Sequence, residues 1–97
     1  MSKEERDQEF WDMTDEFINL ANAQCDKHNN GKVSTSMLFS AARFNAFMFA
    51  SKTKDVADLV KDKELALEYF TSQYKKVLEE NLNDYEKNYN DYVAKKS

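Results

Sequence analysis

S-T-S-M-L-F-S-A-A-R-F-N-A-F-M-F-A, residues Ser34–Ala50, decides the fold. Wound into a helix, its apolar side chains reach nearly the whole circumference, and such a helix is expected to be enclosed by other elements. Leu38, Ala41, Asn45 and Met48 share one stripe, with Met37 and Phe44 flanking it at spacings of three and four. Asn45 therefore falls where a core residue belongs. Ser36, Ser40, Arg43 and Phe47 form a narrower stripe, whose small hydroxyls let another helix approach closely. Arg43 is the only charge between Lys32 and Lys52, so it must snorkel to water or pair with a carboxylate. A structural pair is the expectation for Arg43. With Asn45 and the neighbouring aromatics, it is also the candidate contact for a small ligand, should the helices enclose a pocket.

Upstream lies D-K-H-N-N-G-K-V-S-T-S-M, Asp26–Met37. Asp26, His28, Asn30, Gly31, Val33 and Ser34 occupy positions 1, 3, 5, 6, 8 and 9 of an EF-hand frame. Position 12 is Met37, where calcium needs a bidentate carboxylate, and His28 offers nitrogen to a hard cation. Calcium binding is therefore not expected, and the stretch reads as a connection between two helices. In this reading Asn29, Asn30 and Gly31 supply left-handed backbone, Gly31 ends the first helix, and Ser34 caps the second.

The first helix is expected from about Ser2 or Lys3 to Lys27. Phe10, Thr14, Phe17, Ala21 and Gln24 or Cys25 give one face, with Trp11 and Ile18 beside it. Trp11 at that spacing is expected to anchor a core. Residues 1–16 hold seven carboxylates against Lys3 and Arg6, a local charge of −5. Acids there complement the positive end of a helix dipole, and secondarily they could dock a basic partner. Asp12, Asp15 and Glu16 lie a turn apart, but no histidine or second acidic helix joins them to make acid–base or metal chemistry.

Downstream, residues 51–54 read as a second connection with Thr53 as a cap, and 55–61 as a turn or two of helix. The last helix should run from about Asp62 to Val93, roughly 45 to 50 Å at 1.5 Å per residue. Leu67, Phe70, Tyr74, Leu78, Leu82, Tyr85, Tyr89 and Tyr92 keep a spacing of three and four beyond the reach of the central helix. Asn83-Asp84-Tyr85 recurs seven residues on as Asn90-Asp91-Tyr92, an interval that keeps one face toward a partner helix. Tyrosine buries its ring and keeps its hydroxyl wet, so Leu82, Tyr85, Tyr89 and Tyr92 are the candidate partner-binding residues. The long first helix is the alternative cover for the same stripe.

Ninety-seven residues bound this to a single helical domain, 1–97, near the size where a second subunit helps. Apolar residues make up 41% and charged residues 33%, which excludes wholesale disorder. No proline and one glycine favour a few long helices over many short strands. The fold class is all-α: three main helices in an antiparallel bundle, the last one long, with dimerisation available to complete it. Net charge is −4 and no basic footprint for nucleic acid exists. The opening M-S-K-E-E-R-D lacks the apolar core of a signal peptide, no apolar run approaches membrane-spanning length, and the lone Cys25 suits a reducing compartment. A cytoplasmic setting follows.

F-W-D-M-T-D-E-F-I-N-L-A-N (Phe10–Asn22), V-S-x-x-x-L-F-x-A-A-R-F-N-A-F (Val33–Phe47) and Y-F-T-S-Q-Y-K-K-V-L-E-E-N-L-N-D-Y (Tyr69–Tyr85) together resemble a proteobacterial family of small proteins of unknown function. That resemblance implies a bacterial, all-helical protein, and it brings no activity, cofactor or site. One histidine, one cysteine and no glycine-rich phosphate loop leave little equipment for an enzyme, and no cofactor is expected. The reading is a helical interaction module whose partner is a protein, itself or another. A ligand binder using Arg43 and Asn45 is the second reading.

Overall fold

A computed structural model describes residues 5–93. Three main helices and one short one make up the chain, with no strand among the described residues: α1 (Gln8–Cys25), α2 (Asn30–Ala50), α3 (Val56–Lys87) and α4 (Tyr89–Tyr92). The chain divides into two compact units, Met1–Thr53 and Lys54–Ser97.

In the first unit each helix begins at a side-chain cap. The Phe10 backbone N–H donates to Asp7 Oδ1 at 2.9 Å, which starts α1 at Gln8, and Glu9 sits in the first turn where the dipole favours it. Glu5–Asp7 thus lie before the helix, whereas the sequence spacing predicts helix there; a start at Ser2 or Lys3 lies outside the described residues. Beside this entrance the Arg6 guanidinium carbon stands 5.9 Å from the centre of the Trp11 ring, and Phe10 meets Trp11 edge-on at 4.9 Å.

The second helix starts earlier than Ser34. Asn29 Oδ1 accepts the Lys32 N–H at 3.1 Å, so α2 begins at Asn30 and only Asp26–Asn29 connects the helices. Asn30–Met37, the later part of the EF-hand frame, is helical. Gly31 does not supply left-handed backbone, since no described residue has positive φ. Its lack of a Cβ matters for another reason: a Cβ would stand 3.1 Å from the Asn29 Oδ1 that caps the helix.

Helices α1 and α2 touch, yet no described residue of either is buried. Phe10, Thr14, Ala21 and Cys25 on α1, and Val33, Asn45 and Phe49 on α2, are half-buried. Among the described residues of this unit, α1 does not enclose the central helix: Phe39, Phe44 and Phe47 are 70%, 63% and 64% exposed. Within this unit one helix faces another, and a single neighbour shades only one side of an all-round apolar helix. Trp11 likewise is exposed and anchors no core.

The second unit is α3 with α4. Asp55, not Thr53, caps α3: its Oδ1 accepts the Asp58 N–H at 2.9 Å, while Asp58 Oδ2 reaches back to the Lys54 N–H at 3.0 Å. Thr53 instead donates its hydroxyl to Ala50 O at 2.7 Å. The turn or two of helix expected over residues 55–61 is continuous with the last helix, which begins at Val56. Thirty-two residues without glycine or proline carry it about 48 Å.

Candidate functional site

The C-terminal end of α3 brings together most of the side chains that the sequence marks out. Asn88 takes φ −116° and ψ 31°, outside helical space, and breaks the helix where continuation to Val93 was expected. Asp84 holds the break. Its backbone carbonyl accepts the Asn88 N–H at 2.9 Å, its Oδ1 accepts from Asn88 Nδ2 at 2.8 Å, and its Oδ2 accepts from the Tyr92 hydroxyl at 3.0 Å. Asp84 and Asn88 are thus joined through both backbone and side chains at the break.

Beyond the break, the Tyr85 and Tyr92 rings meet at 4.6 Å with planes 39° apart. The Asn-Asp-Tyr repeat thus makes a contact inside one chain: the first copy's Asp84 and Tyr85 hold the second copy's Tyr92. Being a donor to a carboxylate, the Tyr92 phenol is held above the ordinary tyrosine pKa, first by that hydrogen bond and then by the negative charge of Asp84.

Even so, the surface stays open. Leu82, Tyr85, Tyr89 and Tyr92 are all exposed, as are Leu67, Tyr74 and Leu78 along the same helix. A face of this apolar content rarely stays in water on a monomer. Two open concavities mark the unit: one at the corner of α3 and α4, lined by residues 86–91, and one along α3, lined by Glu64, Leu67, Glu68, Thr71, Ser72 and Lys75.

Arg43 and Asn45 fall in the other unit. Arg43 is exposed and pairs with no described carboxylate, while Asn45 is half-buried and bonded to no described residue. Two residues apart on one helix, they point to different sides and do not converge. Neither lines the two concavities above. Among the described residues no group of histidine, cysteine, aspartate and glutamate is arranged for a metal ion. No helix of the described residues is long and apolar enough to cross a membrane.

Sequence reasoning missed Asp84 and Asn88, the pair that shapes the corner. Their signal was present in Asp84-x-x-x-Asn88, two residues prone to local backbone bonding one turn apart. Asp55-Val-Ala-Asp58 likewise carries a capping pattern that ranks above Thr53.

Over residues 10–86 the chain matches the family described as Protein of unknown function (DUF3144), and it belongs to that family. No curated protein and no solved structure matches it.

Proposed function

We propose that this DUF3144 protein is a small helical interaction module of the bacterial cytoplasm that associates with a second copy of itself, using Leu82, Tyr85, Tyr89 and Tyr92. One observation carries the reading: no described residue of either unit is buried, although large apolar side chains stand along all three main helices. Fixing one residue's backbone costs roughly 1 to 2 kcal/mol, and burial of apolar surface is the chief term that offsets it. Units that each lack buried residues gain that burial by association.

No catalytic step is assigned. His28 lies exposed in the connection between α1 and α2, and Cys25 is half-buried at the end of α1. A ligand site at Arg43 and Asn45 is the weaker reading, because the two side chains diverge.

Sedimentation across low to high micromolar protein tests the proposal, with a Tyr85→Lys, Tyr89→Lys double variant alongside. Self-association in the wild type, and a helical monomer in the variant, are the expected results. A wild type that stays monomeric at high micromolar concentration overturns it.

A further inference from the structure

We propose that Asn30 is a site of spontaneous hydrolytic modification: the backbone nitrogen of Gly31 closes on the Asn30 side chain, ammonia leaves, and water opens the resulting succinimide to aspartate or isoaspartate. The inference concerns the start of α2 and does not depend on self-association.

Sequence, exposure and hydrogen bonding converge on this residue. Gly31 is the one glycine in the sequence, and it follows an asparagine. Ring closure needs the nitrogen after the asparagine to reach its Cγ, and a residue without a Cβ leaves that nitrogen unshielded and its backbone free to turn. Asn30 and Gly31 are both exposed, which gives water access to the site. The Asn29 cap takes the Lys32 N–H on its side chain at 3.1 Å and the Val33 N–H on its carbonyl at 3.0 Å, so among the described residues the Gly31 N–H has no acceptor. No hydrogen bond has to break at the attacking nitrogen. Asn30 must leave helical backbone for the attack, and as the first residue of α2 it does so by opening only the end of the helix, where helices fray.

The Gly31 nitrogen gives up its proton to a solvent base and bonds to Cγ of Asn30. The Cγ–Nδ2 bond breaks, and the departing nitrogen takes a proton from solvent and leaves as ammonia. Water then adds to one carbonyl of the ring and breaks its bond to the ring nitrogen, which regains a proton. Opening at the side-chain carbonyl gives aspartate, and opening at the main-chain carbonyl gives isoaspartate. Water enters, ammonia leaves, and the chain gains one negative charge.

Local structure directs the reaction to Asn30. Asn29 is held by the Lys32 N–H, and the residue after it carries a side chain. Asn81 donates Nδ2 to the Val77 carbonyl at 2.7 Å, and Asn88 donates to Asp84 Oδ1 at 2.8 Å. Asn19, Asn22 and Asn45 lie inside helices, where the following N–H belongs to the helical ladder.

The two products act oppositely on α2. Its first turn carries no acidic residue, whereas α1 has Glu9 there and α3 has Asp58. Aspartate at position 30 supplies that charge at the positive end of the helix. Isoaspartate adds a main-chain carbon between Asn29 and Lys32 and displaces the cap from the N–H it holds.

Trypsin cuts after Lys27 and Lys32, so the full chain aged in mildly alkaline buffer is read by mass spectrometry at His28–Lys32, with isoaspartate counted by enzymatic carboxyl methylation. Replacement of NH2 by OH at Asn30, with isoaspartate accumulating, is the expected result. Asn30→Gln should abolish it, and Gly31→Ala should slow it on the order of tenfold. Circular dichroism checks that both variants remain helical. The same chain aged in denaturant should also react at Asn30, which establishes that the assay detects the product. A folded chain that stays unmodified while the denatured one reacts overturns the proposal, as does modification at Asn29 instead, or an equal rate in a helical Gly31→Ala protein.

Discussion

If the apolar faces of this chain are covered only by another copy, its thermal stability must depend on its concentration. The perturbation is dilution alone. No described residue is buried, so under the proposed self-association the cooperative gain from apolar burial comes with the dimer. Tenfold dilution of a dimer costs about 1.4 kcal/mol of dimer, or about 0.7 kcal/mol per chain. For a domain of this length 1 kcal/mol moves the midpoint by about 4 to 8 °C, so each tenfold dilution should lower it by about 3 to 6 °C. Far-ultraviolet circular dichroism in cells of different path length reads this directly, because almost all the signal is helix. The Tyr85→Lys, Tyr89→Lys variant should melt lower and lose the dependence on concentration. Superimposable wild-type melts over a wide range of concentration would refute the reasoning, since they require a core formed within one chain.

The helix caps should each matter modestly: Asn29→Ala and Asp55→Ala are expected to cost about 1 kcal/mol apiece in denaturant unfolding, through the lost bonds to the Lys32 and Asp58 N–H groups. Alkaline titration should show Tyr92 ionising above the ordinary tyrosine pKa of 10.0, and Asp84→Asn should bring it back toward that value, followed by tyrosinate absorbance. The sign follows from the neutral phenol being the donor: the Tyr92 contact is fully present below the ordinary pKa and is lost as pH rises through the raised one. Asn45→Ala should leave the unfolding of the dilute chain within about 0.5 kcal/mol, because the amide bonds to no described residue. A loss of about 1 to 3 kcal/mol confined to concentrated protein would show instead that the amide is bonded between copies. Calorimetric titration with calcium should give no saturable heat, since Asn30–Met37 is helix.

The three helices were legible because nothing interrupts them: residues 56–87 hold no breaker, and the apolar positions of Phe10–Cys25 and Ser34–Ala50 recur at helical spacing. Their ends were less so. Around α2 the sequence offers Asn29, Asn30, Ser34, Thr35 and Ser36, all able to cap, and helical pattern alone does not say which N–H groups will be left without partners. Asn29 captures the Lys32 N–H first, and Ser34 is absorbed into the helix. The corner at Asn88 is a similar case. A seven-residue repeat of Asn-Asp-Tyr does not show in the sequence that Asp84 accepts from both Asn88 and Tyr92.

Burial was the quantity that the pattern misplaced, and the reason is general. Apolar periodicity records which faces need cover in the state that was selected, and it is silent on which molecule provides the cover. In a chain that builds its own core, the all-round apolar helix is the most enclosed element. Here α2 carries that pattern and is not enclosed by α1, and the stripe of α3 is exposed in its own unit. The two exposed surfaces differ in what they ask for. On α3 the stripe is edged by Glu68, Lys75, Glu79 and Glu86, which follow Leu67, Tyr74, Leu78 and Tyr85. On α2 it has no edge, since Arg43 is the only charge from Val33 to Ser51, and nothing in that charge pattern fixes the orientation of a neighbour.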